Sequence, residues 1–153
     1  MKRFDYALDY KNIDFTQEEN RHLYRIGRGE QGVLLVRPYT DDICSVWRFR
    51  NKEEAIKSSE AIYQMYLTYK KEDDFIGMDM ARKFLEMGFT RARRYANHKD
   101  GKKYNEDGSI KAQEPDALTS EKAQCARIFK LLRDIVAKDS DYVDMRKEWR
   151  ANE

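Results

Sequence analysis

From Asn51 to the end of the chain, outside the polar stretch 99–115, the apolar residues recur every three to four positions. Before Asn51 they come in short β-branched or aromatic runs cut by glycine and proline. A helical period and an extended period in separate halves are the signature of a fold with strands first and helices after. The sequence is therefore expected to give an α+β domain, a small antiparallel N-terminal sheet packed against four or five helices.

In the first half, Phe4, Tyr6, Leu8 and Tyr10 alternate with other residues and predict a strand or an extended arm. Thr16 with Glu19 three residues on has the form of a capping box, placing a helical turn over Thr16 to Leu23. Leu23 to Ile26 and Val33 to Val36 flank the glycine-rich Gly27-Arg-Gly-Glu-Gln-Gly32, and Ile43 to Phe49 makes a third run. All three read as strands, with Pro38 ending the second because proline cannot donate to a ladder. In the second half, Asn51 with Glu54 starts a helix that runs to about Tyr69. Asp73 or Asp74 caps the next, with Met78, Ala81, Phe84 and Leu85 inward and Gly88 as its terminating residue. Thr90 then starts a short helix through Asn97. Residues 99 to 115 are polar and read as an exposed loop, with Asp107-Gly108 turning a small ribbon over Lys102 to Lys111. A helix from Asp116 or Thr119 carries Phe129, Leu132, Ile135 and Val136, and Asp139-Ser140 separates it from a last helix over Tyr142 to Arg150.

The chain has 153 residues, enough for one domain with a sizeable core. Charged residues make up 38% and hydrophobic ones 41%, but 17 of the 19 aromatics are Tyr or Phe and the net charge is only +2. A core of large rings under a very soluble surface follows, not a disordered chain. Cys44 and Cys125 show no paired spacing and read as free buried thiols. The absence of a signal-like run or a membrane-length apolar segment makes the cytoplasm the expected location, with no membrane partner.

The near-balanced total hides one strongly positive region. Arg82 to Lys103 holds eight Lys or Arg against Glu86 and Asp100, about +6. Arg91, Arg93 and Arg94 lie on a helix, with His98 one turn beyond Arg94, and Lys99, Lys102 and Lys103 continue into the loop. Arg82 and Lys83 widen the patch, and Tyr95 or Tyr104 is available to stack on an unpaired base, with core packing the stronger reading for Tyr95. Arginines at this density favour bidentate phosphate contacts, so nucleic acid, DNA or RNA, is the expected partner. The bland alternative is a solvated face paired with acids. A second candidate is the glycine-rich segment, where Arg25, Arg28, Glu30 and Gln31 would hold the anion of a phosphorylated small molecule. The strand after it rules out a dinucleotide fingerprint, and the lysine, catalytic-loop and DFG partners of a kinase loop are missing. A tight turn needing glycine for its backbone is the structural alternative. A third class is an adaptor, phage-encoded or otherwise, that docks on an acidic protein. His22 and His98 have no ligand-spaced partner, so no metal is expected, and no cofactor or catalytic residue is indicated.

Three segments together resemble a known family. They are Tyr24-Arg-Ile-Gly-Arg-Gly-Glu-Gln-Gly-Val-Leu-Leu-Val36, Trp47-Arg-Phe49 and the stretch from Gly77 through Phe84, Gly88 and Arg91 to His98. They look like the small proteins, described as a domain of unknown function, of bacteria, tailed phages and fungi. The resemblance runs from about Phe4 to Trp149. It implies a single cytoplasmic domain and carries over no mechanism or site residue.

Overall fold

Helix α3 spans Lys52–Lys71, and its start is set by Asn51, whose side-chain oxygen accepts the Glu54 backbone N–H at 2.8 Å. Ala55, Ser58, Ser59, Ile62 and Tyr66 form its buried stripe. Asp73, at φ 54°, turns the chain, and Asp74 caps α4, accepting from Gly77 N–H at 3.1 Å. Helix α4 spans Phe75–Asn97. The computed structural model describes residues 2–153. In it α4 is the central element, with every residue from Phe75 to Leu85 buried. Helix α5, Glu121–Lys138, is capped by Ser120 and packs against α3 and α4. Asp139 ends α5 and caps α6, Ser140–Ala151. Two short helices, α1 (Glu18–Arg21) and α2 (Tyr39–Cys44), and a 3-10 helix at Tyr10–Asn12 interrupt an N-terminal segment that is otherwise turns and irregular chain.

The fold is all-helical, which corrects the α+β expectation: helix takes 57% of the chain, strand 1%, and no sheet forms among the described residues. The physical reason is visible in the backbone partners of the run after Leu23. Tyr24 O accepts from Trp149 Nε1 at 3.1 Å, Gly27 O from Arg150 Nη2 at 2.9 Å, Gly29 O from Arg82 Nη1 at 3.0 Å, and Gln31 O from Lys83 Nζ at 2.7 Å. Helix side chains thus supply the donors that a neighbouring strand would have supplied. The run at Val33 to Val36 instead closes tight turns, with Val33 N–H on Glu30 O and Leu35 N–H on Gly32 O, and Thr40 Oγ1 donates to Val33 O. Ile43 lies in α2, which Pro38 begins and which takes the place of a strand end. Thr16 caps nothing: its N–H and hydroxyl both bond Asp14. The expected ribbon at Asp107-Gly108 reduces to one antiparallel bridge, Tyr104 to Ile110, around Gly108 at φ 86°.

Gly88 does not end a helix. It lies in mid-α4, where a Cβ would overlap the Phe129 ring of α5, so close approach of the two helices is what requires glycine. Thr90 accordingly starts nothing and sits inside the same helix. The rings expected in the core do line up. Phe4, Tyr10, Phe15 and Tyr24 follow one another at centroid spacings of 5.8, 6.1 and 6.4 Å, then Trp149, Phe75 and Tyr142 at 6.0, 5.3 and 5.8 Å. This series joins the N-terminal segment to α4 and α6. Both cysteines are free, Cys125 buried and Cys44 half-buried.

Candidate anion-binding groove beside the glycine turn

Gly27, Gly29 and Gly32 all have positive φ, at 68°, 56° and 79°. At Gly32 the demand is double, because a Cβ would also strike the Phe4 ring. The turn rests on a buried charge cluster in α4. Asp79 is fully buried and accepts from Arg82 Nε at 2.8 Å, from Tyr142 Oη at 2.5 Å and from the Tyr24 hydroxyl. Lys83 Nζ lies 3.8 Å from Asp79, donates to Gln31 O, and stands 4.8 Å from the centre of the Tyr24 ring. Burial alone would raise the Asp79 carboxyl, but Arg82 and Lys83 beside it hold it well below the usual carboxylate range. Burial pushes the Lys83 ammonium down, with Asp79 acting against the shift. The same burial, with Asp79 adjacent, raises the phenols of Tyr24 and Tyr142.

Two residues placed in the basic patch by sequence are therefore internal. Arg82 and Lys83 are 7% and 0% exposed, and they tie the glycine turn to α4 instead of facing a partner. His98 is buried as well, with its Nδ1 unpartnered. Arg93 is half-buried and donates to Asn97 Oδ1 at 2.9 Å and to Ala117 O, holding the segment after α4 in place. Arg91, Arg94, Lys99, Lys102 and Lys103 are exposed, and none of them makes an ion pair among the described residues. The sequence puts Arg82 and Lys83 late in a helix preceding the later arginines, as a widening of their patch. The bend of the N-terminal segment over the first half of α4 separates them.

Of the four residues expected to form a pocket at the glycines, Arg28, Glu30 and Gln31 line one groove and Arg25 stands outside it. Arg25 Nη1 turns to His22 O at 2.7 Å, Gln31 Oε1 accepts Arg28 N–H at 2.8 Å, and Glu30 Oε2 accepts from Thr90 Oγ1 at 2.8 Å. Arg28 alone is exposed and without an ion pair. It lines a shallow groove of about 360 Å³ together with Arg91, Glu30 and Gln31, beside the apolar Val33, Leu34, Leu35 and Met87. On the other side of Arg28 a second hollow, about 570 Å³, is lined by Lys2, Arg3 and Arg150, with no carboxylate in its wall. The N-terminal basic residues were outside the sequence-level site. Their only sequence signal was two charges at the start of the chain. The hollow bounded by Glu18, Arg21, His22 and Glu148 mixes both signs of charge. No group of three or more His, Cys, Asp or Glu among the described residues is arranged to hold a metal ion, and no helix among them is long and apolar enough to cross a membrane.

Fold and surface together define a small all-helical domain with a shallow groove, lined by Arg28 and Arg91, along its central helix. Residues 5–152 match the domain of unknown function DUF4385, and the chain belongs to that family. Comparison with curated proteins and with solved structures gives no match.

Proposed function

We propose that the protein binds nucleic acid through its phosphate backbone, along the groove between the glycine turn and the second half of α4. The observation that carries this reading is the meeting of Arg28 and Arg91 on one concave surface, although they lie 63 positions apart in the chain. Arg94 follows Arg91 by about one helical turn, and Lys99, Lys102 and Lys103 extend the exposed positive charge beyond the helix. Guanidinium groups without an internal carboxylate keep their donors free for phosphate. Glu30 lies in the same groove, where Thr90 Oγ1 donates to its carboxylate, and the two arginines outnumber it. An open groove suits a chain of phosphates passing through, whereas a small phosphorylated ligand calls for enclosure.

Charge reversal at Arg28, Arg91 and Arg94 tests the reading, with Arg93 left intact because of its internal bonds. Anisotropy of labelled DNA and RNA at about 50 mM salt is expected to show at least a tenfold loss of affinity, with an unchanged melting temperature. If the unmodified protein binds neither polymer under those conditions, the proposal is wrong. If it binds only an acidic protein, the adaptor class takes its place.

A further inference from the structure

We infer that the nucleic acid held here is single-stranded and that one base stacks on Tyr6. The inference rests on the reading above and narrows its ligand. Tyr6 is 63% exposed and lines both the groove with Arg91 and the hollow with Arg3, so it stands where the two meet at Arg28. Its position is fixed from below. The ring leans on Phe4 at a centroid distance of 4.7 Å, and Phe4 is buried against Gly32, stacked on Tyr10 and 5.5 Å from Lys83 Nζ. The backbone on either side is held too: Ala7 N–H donates to Asp5 Oδ1 at 2.8 Å, and the Tyr10 hydroxyl donates to Asp5 O. An aromatic ring held this way loses little freedom when a base covers it.

The groove itself favours unpaired bases. Its lining is apolar at Val33, Leu34, Leu35 and Met87, and Leu34 is 48% exposed. A duplex offers those side chains only phosphates and sugars, because its base faces are stacked on one another. A single strand offers base faces to the apolar side chains and phosphates to Arg28 and Arg91, the combination on which sequence-tolerant single-strand binding rests. Helix α4 exposes only part of one face, over Thr90, Arg91, Arg94 and Tyr95, which is little for a helix entering a major groove. Its first half is buried, and its second half lies between the glycine turn and α5. The two exposed tyrosines in and just after the basic segment are placed differently. Tyr95 leans on Phe49 under Lys122, and Tyr104 sits in the loop under Lys103.

Tyr6→Ala and Tyr6→Phe decide the matter, read by anisotropy against a labelled 12-residue single strand, a hairpin duplex of the same composition, and inorganic polyphosphate as competitor. The single strand is expected to bind at least tenfold more tightly than the duplex. Tyr6→Ala is expected to weaken single-strand binding by roughly tenfold to a hundredfold, the range of one lost base stack. Tyr6→Phe should retain affinity, and polyphosphate should compete equally with all three proteins. Melting temperature should hold, since Tyr6 is mostly exposed. Equal affinity for duplex and single strand, or single-strand binding unaltered in Tyr6→Ala, overturns the inference while leaving phosphate binding intact. Absence of binding to every polymer removes both.

Discussion

At the scale of single residues, Asp79 is the most consequential carboxylate in the chain. It is fully buried, and two cations and two phenols converge on it from α4, α6 and the N-terminal segment. Removing the charge of such a group leaves Arg82 and Lys83 buried without their counter-ion, so Asp79→Asn should destabilise the fold by about 3–5 kcal/mol in urea unfolding. The sign of the pH dependence follows from the lowered folded-state value. An unfolded aspartate titrates near pH 4, as a rough reference. The stabilisation is therefore complete above that point and is lost as pH falls toward the lower folded value. Melting temperature followed from about pH 6 to pH 2.5 should drop in the unmodified protein by more than in Asp79→Asn. A parallel decline in both would mean that other carboxylates govern acid unfolding.

At the scale of elements, the α4–α5 contact decides how long the central helix is. A glycine followed by a threonine at 90 has the local form of a stop and a new start, yet α4 continues through both. The Phe129 ring occupies the space that a side chain at 88 would fill. Gly88→Ala is a discriminating substitution, because in a free helix interior alanine would add stability of about 1 kcal/mol. Overpacking against Phe129 should reverse that sign and cost about 1–3 kcal/mol in thermal or urea unfolding. Adding Phe129→Leu to Gly88→Ala should cost less than the two single changes predict together, a coupling that a double-mutant cycle reads directly. A stabilised Gly88→Ala protein would show that the helices separate easily at this point.

At the scale of the whole molecule, charge is sorted by location and not by sequence neighbourhood. Of the eight basic residues from 82 to 103, Arg82 and Lys83 hold the N-terminal segment to the core and Arg93 holds the loop after α4. The remaining five are exposed. Arg28 joins this exposed set from the opposite side of the groove. If three to six of these cations contact phosphates of a single strand, log K should fall against log salt with a slope of about −2 to −4. Reversal at Arg28, Arg91 and Arg94 should flatten that slope. A slope near zero would mean that attraction to the polymer is not carried by its backbone.

What the sequence determined alone is what depends on neighbours within a few positions. Asn51 and Asp139 cap their helices because an N-cap side chain needs only the N–H groups two or three residues ahead of it. The helical periods of α3, α5 and α6 were legible for the same reason, as was the need for glycine in the turn at 27–32. Tertiary structure decided what depends on distant partners. The run from Leu23 to Ile26 has a strand's composition, but Trp149, Lys83 and Arg82 reach its carbonyls and those of the turn, so no pairing strand is needed. Arg82 and Lys83 look like surface cations beside Arg91 until Asp79 and that same segment enclose them. The groove is likewise a tertiary property, since Tyr6, Arg28 and Arg91 meet only when the N-terminal segment folds across α4. Burial of charge and the meeting of remote side chains are settled by long-range packing, on which a local residue pattern carries no information.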